Sequence, residues 1–173
     1  MSMSLYEAFV PSARQIVAAA EALLVKAEAH CAEHGLAPAD LISACLAPDM
    51  AAVPFQVYSV AGHTAGAIAG VRAGKYTPTG PSGEQSFATL KTMVADAGAM
   101  LAGLDPAELD GYAGKPVMFV FGAMEMPFKA ENFLLSFSQP NFYFHAATLY
   151  GILRHKGVKL GKRDFMGMPR IGV

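Results

Sequence analysis

A chain of 173 residues fits one domain, taken here as 1–173, and its 53% hydrophobic and 16% charged residues leave it well short of the roughly 25% charge of an ordinary soluble domain. So little charge cannot cover the surface, and burying one apolar face in a homodimer is the expected remedy. The net charge of −1 hides a basic end, since 6 of the 13 Lys and Arg follow Leu153, but no aromatic residues interleave them on a repeating register, so a solvated tail is expected and a nucleic-acid surface is not.

The first helix is predicted from Ser12, which has capping-box spacing with Gln15 after Pro11, to about His34, stopping at Gly35. Val17, Leu24 and Ala27 to Cys31 form its apolar stripe. His30 and His34 have the i, i+4 spacing of a helical metal pair, yet both fall in the last turn, where the helix dipole already favours a cation. A short turn of helix is expected near Pro38 to Ala44. Cys31 and Cys45 show no CxxC spacing, which argues against a thiol redox or zinc-thiolate site and fits a reduced compartment. No basic-then-apolar leader opens the chain, and a cytoplasmic location is expected.

A second helix is predicted over about Val53 to Ala73. The stretch 50–71 runs 22 residues without Lys, Arg, Asp or Glu, long enough for a bilayer. Its Pro54, Gln56, Ser59, His63, Thr64 and three glycines make it too polar, so a helix buried in protein is expected and a membrane span is not. Gly62, Gly66 and Gly70 recur every four residues and form one ridge, which predicts close approach of another backbone. A Pro/Gly loop follows from Lys75 to Gly83. Ser82 and Gln85 then suggest the cap of a third helix reaching about Leu101. After a turn at Asp105 to Gly114, Val117–Phe121 and Ala123–Phe128 read as a small β-hairpin around Gly122. The last long helix is predicted from about Ser138, with Pro140 in its first turn, to Gly157. Four long helices and a hairpin inserted before the last of them make an all-α helical bundle.

On a wheel of about 100° per residue, Phe142, His145, Leu149, Ile152 and Leu153 share one face of the last helix, with Asn141 about 40° from His145. Tyr143 and Tyr150 lie on the other side with Arg154, which needs a partner, and Asp164 is the nearest in sequence. On the second helix Gln56, Ser59 and His63 share a face. His63 and His145 can therefore meet across the bundle, either as two hydrogen-bonded core histidines or as half of a Zn²⁺ or Ni²⁺ site. Asp96, between two alanines, is the carboxylate that stands out. No nucleophile elbow or phosphate loop is present.

The block QPNFYFHAATLYGILRHKGVKLGKRDFMG resembles the C-terminal signature of a bacterial and fungal family of unknown function placed in the DinB/YfiT-like metalloenzyme superfamily. LAPDMAAVPFQVYSVAGHTAGAIAGVRAG resembles its second-helix motif, and GPSGEQSFATL the opening of its third helix. The resemblance implies a four-helix bundle of up-down-down-up connectivity, usually dimeric. Metal-binding members of the superfamily use one histidine on the second helix and an HxxxH pair on the last. Here His63 matches the first, His145 matches the second of the pair, and Asn141 stands in place of the other. Two functional expectations follow. One is a divalent-metal-dependent hydrolase or thiol transferase using His63 and His145, with Asn141 as a weak ligand. The other, favoured by the broken triad, is a non-catalytic homodimer binding a small molecule in a cleft formed by Gln56, Ser59, Phe142, Tyr143 and Tyr150.

Overall fold

The computed structural model describes residues 3–172. The first helix, α1 (Leu5–His34), starts two turns before the expected Ser12. Ser4 and Glu7 form the capping box instead: Ser4 Oγ accepts from the Glu7 N–H at 3.2 Å, and Glu7 Oε2 accepts from the Ser4 N–H at 3.0 Å. Pro11 therefore lies inside the helix, a cost of about 3 kcal/mol. Phe9 and Val10, both at 0% exposure, and Leu5 at 9% offset it, at roughly 1.5–3 kcal/mol for each large side chain buried. The helix ends as expected at Gly35, whose φ of 64° lies in the left-handed region that glycine favours.

A short α2 (Pro38–Ile42) leads to α3 (Val53–Ala61), which continues through a π turn (Gly62–Gly66) into α4 (Ala67–Ala73). The predicted second helix is thus present, but it is widened in the middle. Its glycine ridge receives a side chain and not another backbone. Tyr76, in the two-residue strand β1 (Lys75–Tyr76), lies along it, and Cβ atoms added to Gly62 and Gly70 would come within 2.9 Å of the Tyr76 hydroxyl and 2.8 Å of its Cβ.

α5 (Phe87–Ala102) begins after Ser86, which caps with Thr89, and not after Ser82. Gln85 instead turns back, donating to the Ser82 and Gly83 carbonyls and closing the loop. After α6 (Pro106–Asp110), β2 (Pro116–Phe121) and β3 (Met124–Lys129) form the expected antiparallel hairpin. β1 adds a third strand, parallel to β2 with Tyr76 opposite Phe119, so the order is β1-β2-β3. Pro127 is tolerated because β3 is an edge strand.

The last helical run begins well before Ser138: α7 (Ala130–Asn132) passes through a second π turn (Phe133–Ser138) into α8 (Gln139–His155). Phe133 and Leu134, fully buried, hold these early turns. Pro140 removes a donor directly after the wide turn, and Asn141 Nδ2 supplies one to the Phe137 carbonyl at 2.7 Å.

α1 packs along α5 and α8, and α3 packs along the same two helices. Among the described residues α1, and not 50–71, is the helix long and apolar enough to cross a bilayer; half of its most apolar window, of mean hydropathy 1.4, is buried inside the domain. The chain is mostly helical with a three-stranded sheet on one side. α9 (Lys162–Met166) then folds back on α1. There Asp164 pairs with Lys26 at 2.6 Å, and not with Arg154 as expected. Packing α9 on α1 turns Asp164 toward Lys26, while Arg154 stays exposed with its Nη1 3.4 Å from the Val158 carbonyl. Asp96 is on the exposed side of α5.

Candidate functional site

His145 and Gln56 join α8 to α3. His145 Nδ1 lies 2.8 Å from Gln56 Oε1, and Gln56 Nε2 donates to the Ala51 carbonyl at 2.8 Å. The second bond fixes which end of the Gln56 amide faces the ring, because a carbonyl can only accept. Gln56 Oε1 must therefore accept from His145, placing the proton on Nδ1 and leaving the Nε2 lone pair free. Gln56 is 2% exposed, so this amide is locked in place.

His63 sits in the π turn between α3 and α4 and is 8% exposed. The rings of His63 and His145 are 6.3 Å apart between centroids, with planes 7° from parallel. Among the described residues His63 Nδ1 has no hydrogen-bond partner although it is buried. Burial pushes His63 down to about 4, with the neighbouring His145 adding to the shift, and burial pushes His145 down to about 4 as well. Both imidazoles are therefore neutral at physiological pH.

The two rings line the base of a cavity of about 390 Å³. Phe55, Tyr58 and Ser59 come from α3, Phe119 and Phe121 from β2, and Phe137 and Asn141 from the last helical run. Pro78, Thr79 and Gly80 form the remaining wall. That loop is fastened by Tyr58, whose hydroxyl accepts from the Thr79 N–H at 2.7 Å and lies 3.1 Å from its Oγ1. The two π turns face one another here, His63 of the first lying 5.6 Å from Phe137 of the second. Such widened turns are often found at functional sites. No Asp, Glu, Lys or Arg lines the cavity.

The spatial expectation from the sequence holds for His63, His145, Asn141 and Ser59, which line one cavity, while Gln56, expected in the lining, bonds His145 from outside it. It does not hold for three aromatic residues. Phe142 is fully buried and packs edge-on to Phe9 at 5.8 Å, Tyr143 leans on Phe142 at 4.5 Å, and Tyr150 packs near Phe165 at 6.2 Å. All three lie outside the cavity. The aromatic lining comes instead from the hairpin and the second π turn. The alternation of Phe119 and Phe121 on β2 was the available sign, since residues two apart on a strand share a face.

Residues 5–166 match a family described as a domain of unknown function, DUF1993. The chain belongs to this family. The fold also resembles that of a DinB family member protein from Shewanella denitrificans, with a TM-score of 0.79, 25% identity, and alignment over 98% of this chain and 95% of that one. No curated protein matches the chain.

A DinB-like fold raises the question of a divalent ion at the DUF1993 histidine pair. Zinc and nickel sites need at least three strong protein donors, typically imidazole, thiolate or carboxylate. Among the described residues no three such side chains cluster. The third position is Asn141, whose amide nitrogen is committed to the Phe137 carbonyl, leaving only its weak carbonyl oxygen. The residues present do not fit a resident metal.

Proposed function

We propose that this DUF1993 protein is a non-catalytic, homodimeric, cytoplasmic protein that binds a small molecule in the cavity between His63 and His145, at what is a degenerate metal site. The scaffold in this reading is a DinB-like four-helix bundle over 1–173, with α1, α3, α5 and α8 running up-down-down-up. Mutual packing of α1 and α3 with α5 and α8 supports the four-membered arrangement. Low charge and the exposed Phe121, Phe144 and Leu46 support a dimer. Nucleic acid and membrane are not partners in this reading.

The observation that carries the proposal is the pairing of two neutral imidazoles with an uncharged aromatic cavity and no third strong donor. A pocket of this size lies in the range that holds small molecules. The alternative is a divalent-metal-dependent hydrolase or thiol transferase that uses His63 and His145. Elemental analysis of untagged native protein separates the two. The expected result is less than stoichiometric zinc and nickel, with added Zn²⁺ leaving the thermal midpoint unchanged. A stoichiometric metal that disappears in His145→Ala would replace the proposal with the metal-dependent reading.

A further inference from the structure

The polar atoms at the cavity base are fixed by their buried partners, so they can be read as a recognition pattern. Gln56 holds the His145 proton on Nδ1, leaving Nε2 as an acceptor. Asn141 gives its Nδ2 to the Phe137 carbonyl, leaving Oδ1 as a second acceptor on a residue of the same cavity wall. His63 has the opposite character. Its Nδ1 is buried without a partner, and an unpaired lone pair costs less there than an unpaired N–H, so the proton belongs on Nε2. One imidazole thus accepts and the other donates. Both rings line the cavity, but their planes are 7° from parallel and an imidazole hydrogen bond lies in its own ring plane, so a ligand oxygen is held by one ring at a time.

A hydroxyl meets the free acceptor at His145 Nε2 because it carries one O–H donor and no charge. The rest of the lining is chosen for a flat apolar body: Phe55, Tyr58, Phe119, Phe121 and Phe137. With no Asp, Glu, Lys or Arg in the wall, nothing compensates a charged ligand for losing its water. As for size, an apolar cavity of about 150 Å³ admits benzene, so one of about 390 Å³ has room for a bicyclic ring.

Building on the ligand-binding reading above, we propose that the cavity selects an uncharged aromatic hydroxyl compound, with the hydroxyl donating to His145 Nε2 and the ring packed among the phenylalanines. The ligand is a neutral phenol or naphthol, and neither an anion nor a cation.

Isothermal titration of the full chain at pH 7 with four probes of the same shape tests this: 2-naphthol, 2-methoxynaphthalene, 2-naphthoate and 2-naphthylmethylamine. The expected order has 2-naphthol binding at least tenfold tighter than the methyl ether, which cannot donate, and the two ions weaker still. In His145→Phe, which keeps a ring of similar size, 2-naphthol and its ether should bind alike. A circular dichroism spectrum matching wild type accompanies that variant, and Asn141→Ala, expected to lose part of the preference, serves if His145→Phe unfolds. Equal binding of 2-naphthol and its ether to the wild type would overturn the hydroxyl assignment while leaving the cavity a binding site, as would tighter binding of either ion. A preference that survives in His145→Phe overturns the role given to that ring. If none of the four binds, the small-molecule reading of the cavity fails as a whole.

Discussion

Gly70 and Tyr76 are in such close contact that a Cβ on Gly70 would lie 2.8 Å from the Tyr76 Cβ and 3.1 Å from its ring. The obstacle is the root of the tyrosine side chain, which is held in strand β1 opposite Phe119 and cannot swing aside. Gly70→Ala should therefore destabilise the protein by about 1–3 kcal/mol, although alanine is worth roughly 1 kcal/mol more than glycine in a helix. Gly66 supplies the contrast. A Cβ there meets nothing nearer than 3.7 Å, and Gly66→Ala should be neutral or stabilising by up to about 1 kcal/mol. Urea denaturation of both variants checks the opposite signs, and a Gly70→Ala protein as stable as wild type would remove Tyr76 from its place on the ridge.

The buried imidazoles make stability depend on pH in a defined direction. Both fold with values near 4, below the ordinary 6.5, so between these limits the unfolded chain binds protons that the folded chain does not. Stability should be level above about pH 6.5 and fall as the pH drops toward 4, each histidine contributing on the order of 2–3 kcal/mol across that window. The urea midpoint measured from pH 7.5 to 4.5 reports this, and the double variant His63→Asn, His145→Gln should flatten the curve. A wild-type curve already level down to pH 5 would mean that the rings titrate as if solvated.

Ser138, at 0% exposure, closes the second π turn with a hydroxyl that has no hydrogen-bond partner among the described residues. A buried unsatisfied hydroxyl costs about 1–3 kcal/mol. Ser138→Ala removes it, creates little void and should raise stability by about 1 kcal/mol in the same urea assay. A loss of comparable size would reveal a partner for that hydroxyl, such as an ordered water.

What could be read from the sequence was what depends on periodicity and caps. Gly35, the hairpin around Gly122, and the inward turn of His63 and His145 all follow from local pattern, and all hold. The misplacements share a physical origin. Ser12 with Gln15 and Ser82 with Gln85 have capping-box spacing, but so do Ser4 with Glu7 and Ser86 with Thr89, and only tertiary burial of Leu5, Phe9 and Phe87 decides between them. The 3.6-residue wheel of the last helix covered 141–154, all inside α8, and so ordered those side chains without showing that the cavity is lined from the second π turn upstream and from β2. Phe142 and Tyr143 satisfy the α8 periodicity and go to the core side, while Phe137, just upstream in the widened turn, reaches the cavity. The partner of Asp164 was equally out of reach, since Lys26 is 138 residues away in sequence.

The β2–β3 hairpin gives the molecule an adjustable rim. Phe121 lies at the tip, one residue from Gly122, and remains 60% exposed, whereas Phe119 two residues earlier is anchored against Tyr76 and Phe137. Insertions or substitutions at that tip would reshape the entrance while leaving the packed rods and the imidazole floor untouched.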